Sequence, residues 1–281
     1  MVILEIIKNL LDPITITDIL YVAGIIPFAF WLLRTSLGRK ALVDSVPRRN
    51  NMPPYMPFIP LFVWLGPVAL ATLIIRELGG DLHGWQGYFL DNIILCIGAL
   101  ATAAVVIFLA RASFARRLRG FGLDARTIPK DCVVGSINLL SVWPLILAMI
   151  ILTTYFGRLF WGREYEMQQH EELRLITEYP ELSLRILIVF LAAVIAPVLE
   201  EMLFRGLFQT MIRSFLSGPW AAIAVTSVLF VVIHQNIEHW PALYVLSLCL
   251  GYAYEKSGSL FRPIFIHGLF NGVTIVAALS Q

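Results

Sequence analysis

The feature that most constrains this chain is a series of eight long apolar segments. A helix that crosses a bilayer needs about 20 mostly apolar residues, and without water its backbone must be hydrogen-bonded internally. The alternation of apolar and polar residues that marks a membrane β-barrel is absent from the sequence. We therefore predict an all-α, polytopic transmembrane bundle of about eight spans, at 19–33, 58–75, 88–110, 133–156, 182–199, 220–234, 240–254 and 263–279.

The composition excludes a large soluble domain. Only 14% of the 281 residues are charged, 58% are hydrophobic, and the mean hydropathy is +0.79. Soluble domains carry about 25% charged residues. The three cysteines form no CxxC pair, so the sequence indicates neither a disulfide framework nor a cysteine zinc site.

Positive charge alternates from loop to loop. The first and third loops are rich in arginine, whereas the fourth, at 157–181, carries six glutamates. Since positive loops favour the cytoplasmic side, an eight-span protein would have both termini outside. We expect a multi-pass protein of the inner or plasma membrane.

The acidic fourth loop divides the predicted fold into two regions. Residues 1–181 would form an N-terminal four-span region that ends in this loop, and residues 182–281 would form a second four-span region. The stretch 163–179 has two interpretations: a helix lying along the membrane interface with Leu173 and Ile176 facing lipid, or a solvated connector.

The first polar cluster within a span lies in AVIAPVLEEMLFRGLFQ, residues 193–209. Glu201 and Arg205 are four residues apart, in the favourable order for a helical ion pair. Glu200 points about 100° away from Glu201 and is left free to act as a base. The alternative is that these charges simply end the span among the lipid headgroups.

Two further clusters follow at helical spacing. Phe230 and His234 share one face, and so do His267 and Asn271. Imidazole and carboxamide donors that converge in a water-poor site would stabilise an oxyanion. The alternative for each is a packed core histidine or an interhelical hydrogen bond. Polar groups occur inside three of the last four spans, which places the predicted cavity there.

Other catalytic motifs are absent. The sequence contains no HExxH, no GxSxG, no GxGD pair and no phosphate-binding loop. A transporter with a proton relay remains an alternative, although its halves would be expected to show repeats.

The three clusters in order resemble the CPBP family of intramembrane proteases, which includes the type II CAAX prenyl endopeptidases. The family pattern is EExxxR, then FxxxH, then HxxxN or HxxxD, and the resemblance spans residues 182–279. The matching residues here are Glu200, Glu201 and Arg205, Phe230 and His234, and His267 and Asn271.

The resemblance implies a hydrolase in which water is activated inside a helical cavity. Glu200 would be the general base, assisted by His234, while His267 and Asn271 would stabilise the oxyanion. Glu201 and Arg205 would orient the first motif, with Phe230 supporting. A zinc site formed by Glu200, His234 and His267 is the alternative; a metal-free reaction is favoured because one histidine cannot serve both as ligand and as oxyanion donor.

The expected substrate is a membrane-associated protein or peptide, including CAAX-type or lipidated ones, in contact with the lipid bilayer and without nucleic acid. The alternative function is that of a non-catalytic peptide-binding or bacteriocin-immunity protein. For the three motifs to meet, the turn at 256–262 is expected to be inset, since His267 follows Arg262 by only five residues.

Overall fold

A computed structural model describes residues 15–78, 84–234 and 236–279. Apart from an isolated bridge between Asn50 and Phe114, the regular elements in these ranges are helices. The predicted all-α fold is therefore confirmed. The ends of the two predicted regions, before residue 15 and after residue 279, lie outside the described ranges.

The helices are numbered here in chain order. They are α1 (Ile16–Arg34), α2 (Phe58–Leu78), α3 (Trp85–Ser113), α4 (Arg117–Phe121), α5 (Ile128–Trp161), α6 (Glu171–Glu178), α7 (Leu182–Phe215), α8 (Pro219–Val232), α9 (Trp240–Ser257) and α10 (Phe261–Leu279).

Each of the eight predicted spans corresponds to a helix, but among the described residues only six helices are long and apolar enough to cross a membrane. The two exceptions are α8 and α9. Helix α8 has 14 residues, which gives it a length of about 21 Å, less than the ~30 Å of a bilayer core. Helix α9 is long enough, but polar residues in its C-terminal half lower its hydropathy.

The acidic loop contains a short helix, α6, whose apolar face packs on the protein. Leu175 and Ile176 are buried against Leu184, Ile188 and Ile275. The interpretation of residues 163–179 as an interfacial helix with Ile176 facing lipid is therefore wrong. The physical reason is that α7 and α10 offer α6 a close-packed apolar surface, which the local sequence could not reveal.

Helix α7 is surrounded by protein. Every residue from 199 to 210 is buried, with α3 packed on one side through Ala99 and Val106 and with α8, α9 and α10 on the others. A helix that is buried all round belongs to a protein interior. Residues 200–205 therefore do not lie among lipid headgroups.

Two stretches of α7 have π-helical hydrogen bonding. They are Leu191–Ile195 and Met202–Gln209, on either side of Ala196–Glu201. Such wide turns occur mostly at functional sites, because they rotate side chains and release backbone carbonyls from the usual pattern. Helix α7 is thus irregular on both sides of its two adjacent glutamates.

Candidate active site

A buried ion pair stands at the centre of the site. Arg205 Nη1 lies 2.8 Å from Glu201 Oε1, and both side chains are 0% exposed. Arg205 Nη2 also donates to Ser247 Oγ at 2.8 Å, and its guanidinium lies 4.6 Å from the centre of the Phe230 ring. The predicted pairing of Glu201 with Arg205 is present, and Glu200 does not take part in it.

Ser247 of α9 was missed by the sequence analysis. A serine inside an otherwise apolar helix is the same kind of signal that drew attention to His234 and His267. Ser247 is fully buried, and both its hydroxyl and its carbonyl accept hydrogen bonds from Arg205. It therefore fixes Arg205 from the side opposite to Glu201.

His267 brings α10 to the same carboxylate. Its Nδ1 lies 2.9 Å from Glu201 Oε1, and its Nε2 lies 3.9 Å from Glu200 Oε2. The hydrogen bond to Glu201 was not predicted, because sequence spacing carries no signal for a contact between residues 66 positions apart. Glu201 thus joins Arg205 and His267, and it orients the imidazole toward Glu200.

Glu200 carries an oxygen without a hydrogen-bond partner. Its residue is only 9% exposed, and Oε2 is buried without a partner among the described residues. A buried carboxylate oxygen is costly unless something binds it. The 3.9 Å between Glu200 Oε2 and His267 Nε2 is too long for a direct hydrogen bond, and one water molecule about 2.8 Å from each atom would bridge them.

Phe230 and His234 lie at the edge of this group. His234 Nδ1 is 2.7 Å from the Phe230 carbonyl, which leaves Nε2 as the free nitrogen. The Phe230 ring lies 4.7 Å from the His234 ring and 5.7 Å from the His267 ring. No hydrogen bond joins His234 to Glu200 or His267 in the described residues. Helix α8 ends at Val232, so His234 lies in the bend that follows rather than inside a span.

Asn271 connects α10 to the first π-helical stretch. Its Nδ2 donates to the Ala192 carbonyl at 2.8 Å, an oxygen within the stretch where the register of the helix changes. One of the two amide hydrogens is used in this bond, and the other remains available. Gly268 allows the close contact, since a Cβ there would lie 2.4 Å from the Ala193 carbonyl.

The turn before α10 is buried in the protein. Ser259, Leu260 and Arg262 are all buried, and the Leu260 amide donates to the Gly122 carbonyl. Arg262 Nε pairs with Asp131 Oδ1 at 2.9 Å. These contacts fix the start of α10 and with it the position of His267.

The donors proposed for zinc do not form a ligand set. In the described residues no group of three or more His, Cys, Asp or Glu side chains is arranged to hold a metal ion. Both histidines use Nδ1, His267 for Glu201 and His234 for a backbone carbonyl, and both keep Nε2 free, as zinc-ligating histidines do. A zinc site also needs its ligands at about 2.0–2.2 Å from one centre, and the described side chains do not bring three such donors together.

Residues 164–170 approach the bend that carries His234. The Gln168 amide donates to Glu238 Oε2 at 3.0 Å, its carbonyl lies 2.9 Å from His239 Nε2, and the rings of His170 and His239 stack at 4.0 Å. Burial, and then the neighbouring His239 and His234, lower the pKa of His170 to about 4. Glu238 and His239 thus connect the bend after α8 to this loop.

One family of known proteins matches the part of the chain that carries the site. Residues 182–273 match the family described as "Type II CAAX prenyl endopeptidase Rce1-like". The chain is 24% identical over 135 residues to the membrane-embedded CAAX protease MroQ of Staphylococcus aureus, covering 46% of the chain and 51% of MroQ.

Two further relatives carry no functional description. One is a 24.3 kDa protein of Escherichia coli, 29% identical over 48% of the chain and 63% of the relative. The other is YpbD of Bacillus subtilis, 37% identical over 31% of the chain and 42% of the relative. The alignments thus span between two fifths and just under two thirds of the length of these relatives. No solved structure gives a significant match.

Proposed function

Since residues 182–273 are an Rce1-like domain, we propose that this multi-pass membrane protein is an intramembrane endopeptidase that depends on Glu200. The observation that carries the proposal is the pair formed by Glu200 Oε2, which is buried and unbonded among the described residues, and His267 Nε2, 3.9 Å away. A base and a donor that both reach one water molecule are the minimum arrangement for hydrolysis.

In the proposed reaction, Glu200 removes a proton from water and the resulting oxygen attacks the peptide carbonyl. His267 Nε2–H and the free amide hydrogen of Asn271 stabilise the oxyanion. When the intermediate collapses, Glu200 returns the proton to the leaving amine. His234 assists from the edge of the site through its free Nε2.

Charge balance supports these roles. Glu200 and Glu201 bring two negative charges into the interior, and Arg205 supplies one positive charge. Buried charges are tolerated when they are paired. A protonated His267, with Nδ1–H on Glu201 and Nε2–H toward the substrate, would make the group neutral. Glu201 and Arg205 then act by orienting His267.

The proposed substrate is a membrane-associated protein or peptide, of the CAAX or another lipidated type. The relative MroQ is named a CAAX protease, which supports a peptide bond as the target.

The test compares wild type with Glu200→Gln and Glu201→Gln on membrane-anchored and lipidated peptides in liposomes. Glutamine keeps the shape of the side chain but cannot accept the proton, so Glu200→Gln is expected to lower the rate by about 10²-fold or more. The control is Glu178→Gln, which removes a carboxylate that is 48% exposed and lies outside the site, and this variant should cleave at the wild-type rate.

Three outcomes would contradict the proposal. Equal loss in Glu200→Gln and Glu178→Gln would show that the variants fail for a general reason. Cleavage that is abolished by chelator and restored by zinc would assign His234 and His267 as ligands. A cellular effect of the protein that survives Glu200→Gln would instead support the non-catalytic, peptide-binding alternative.

A further inference from the structure

A groove runs along a partly exposed side of α3, close to the start of α4. It has a volume of about 590 Å³ and is lined by Ala104, Ile107, Phe108, Arg111, Ala112 and Arg117. The opposite side of α3 carries Val106 and Ala110, which are buried in the core against α7. Phe108 is 72% exposed. The groove therefore lies outside the proposed active site, on the surface that meets lipid.

One end of the groove is apolar and the other is cationic. Ala104, Ile107 and Phe108 follow each other at helical spacing and form the apolar wall, while Arg111 lies one turn further along. Helix α3 ends at Ser113, so Arg111 belongs to its last turn. A spanning helix whose last turn carries arginine reaches the headgroup region at that point. The groove thus crosses from the acyl-chain region into the headgroup region.

The positive charge at this end is uncompensated. Neither Arg111 nor Arg117 forms an ion pair or a hydrogen bond through its side chain within the described part of the chain. Residues 111–121 contain four arginines and no acidic residue. The nearest carboxylate along the chain, Asp124, is held by Arg126, whose guanidinium lies 2.6 Å away and lowers the Asp124 pKa to about 2.

The backbone at Arg117, which lines the groove, has an unfavourable conformation. After α3 the chain turns back, with the Arg117 amide donating to the Phe114 carbonyl at 2.8 Å. Arg117 has φ 51°, in the left-handed region. A residue with a Cβ is less stable in this region than glycine, which adopts it readily. Such strain is typical of positions where the side chain is needed.

We infer that this groove binds an anionic phospholipid, with its phosphate between Arg111 and Arg117 and the start of an acyl chain along Ala104, Ile107 and Phe108. Guanidinium groups bind phosphate through paired, charge-assisted hydrogen bonds. Basic pockets beside membrane helices bind anionic headgroups for this reason. The apolar wall makes a lipid the occupant rather than a soluble anion, which would leave that wall uncovered.

The experiment measures lipid retention by native mass spectrometry of the full chain in detergent, with phosphatidylglycerol and phosphatidylcholine of identical acyl chains. Wild type is expected to retain phosphatidylglycerol selectively. The variant Arg111→Ala/Arg117→Ala should lose about tenfold or more of that retention, because each charge-assisted hydrogen bond to phosphate is worth about a factor of ten. The matched control is Arg116→Ala/Arg119→Ala, which removes the same charge from the same loop outside the groove.

A second variant separates binding from folding. Arg117→Gly relieves the left-handed strain, so its melting temperature should equal or exceed that of wild type while lipid retention falls. Equal losses in the two double variants would reduce the effect to general electrostatics and overturn the site. Undiminished retention in Arg117→Gly, or displacement of the lipid by inorganic phosphate, would overturn it as well.

Discussion

At the scale of single residues, Glu201 is the group on which the site depends. One of its oxygens receives both Arg205 and His267, at 2.8 and 2.9 Å. Any change that removes Arg205 leaves a buried negative charge with a single partner. A change at Glu201 or at one of its partners is therefore expected to affect both stability and catalysis.

We expect Arg205→Met to destabilise the protein by about 3–5 kcal/mol, the usual cost of breaking a buried ion pair from one side. Equilibrium unfolding in detergent would measure this change. The control is Glu178→Gln, which breaks the Arg174–Glu178 pair at 3.6 Å, whose side chains are 53% and 48% exposed. Exposed pairs contribute about 0.2–1 kcal/mol. Similar losses in the two variants would contradict the central role of the buried pair.

Sequence spacing predicted some of these contacts and not others. Glu201 and Arg205 lie on one helix, so their separation of four residues predicts their pairing. Glu201 and His267 lie on different helices, and their contact depends on how α7 and α10 pack. Ser247 was open to prediction as a polar residue in an apolar run, whereas the bond of Asn271 to Ala192 was not, since a released carbonyl has no sequence signature.

At the scale of elements, the contact between α7 and α10 sets the geometry of the site. Gly268→Ala would place a methyl group 2.4 Å from the Ala193 carbonyl, so α10 must move away from α7. We expect cleavage to fall by about tenfold or more, because the preceding residue, His267, moves with α10. A displacement of a catalytic group by about 1 Å can lower the rate by about 10²-fold. Peptide cleavage in liposomes would measure it.

Gly272→Ala is the matched control on the same helix. A Cβ at residue 272 meets nothing within 4 Å, and alanine is about 0.5–1 kcal/mol more favourable than glycine in a helix. This variant should therefore cleave normally and be at least as stable as wild type. Full activity in Gly268→Ala would show that the α7–α10 contact does not control the distance from Glu200 to His267.

The loop at residues 164–170 should respond to pH. Because the pKa of His170 is lowered from 6.5 to about 4, the packed loop binds fewer protons than the open loop between these values. The contribution of His170 to the stability of the packed loop is therefore fully present above pH 6.5 and is lost as the pH falls toward 4. The groups that face His170 are His239 and His234, with Glu238 bonded to the Gln168 amide of the same loop.

Hydrogen exchange at the Gln168 amide, corrected for the intrinsic effect of pH, would measure this opening. Protection is expected at pH 7 and should decrease as the pH falls below 6.5. His170→Asn removes the titrating group, so protection in this variant should fall less than in wild type over the same pH range. A wild-type loop that stays protected down to pH 4 would contradict the expectation.

At the scale of the whole molecule, the contacts of the bend that follows α8 indicate on which side of the membrane this bend lies. Glu238 and His239 bond to Gln168, in the loop between α5 and α7. This loop precedes the start of α7, whereas α8 begins just after the end of α7. Helix α8 therefore runs back beside α7 in the opposite direction, along only part of its length, since α8 has 14 residues and α7 has 34.

Labelling of single cysteines would test this arrangement in a variant with the three native cysteines replaced. A membrane-impermeant maleimide applied to intact cells is expected to label Glu166→Cys and Glu238→Cys, and to leave Arg39→Cys and Arg116→Cys unlabelled until the membrane is opened. The reason is that arginine-rich loops remain cytoplasmic. Labelling of Glu166→Cys but not of Glu238→Cys would contradict this arrangement, because it would place the α8–α9 bend on the cytoplasmic side.

The sequence predicted the location of all eight helices, because each apolar run is separated from the next by polar residues. It overstated how many are full-length spans, since burial inside the protein allows α8 to be short and α9 to be polar. The packing of α6 could not be predicted, because a local amphipathic pattern does not tell a lipid surface from a protein surface.

The shortness of α8 has a consequence for the surrounding membrane. Val225, Val228 and Val232 on this helix are exposed to the outside of the bundle, so lipid must cover an apolar band only about 21 Å tall, against a bilayer core of about 30 Å. Hydrophobic mismatch of this kind thins the bilayer locally, at a cost that rises with each ångström. The bilayer is therefore expected to be thinner beside α8 than beside the longer helices.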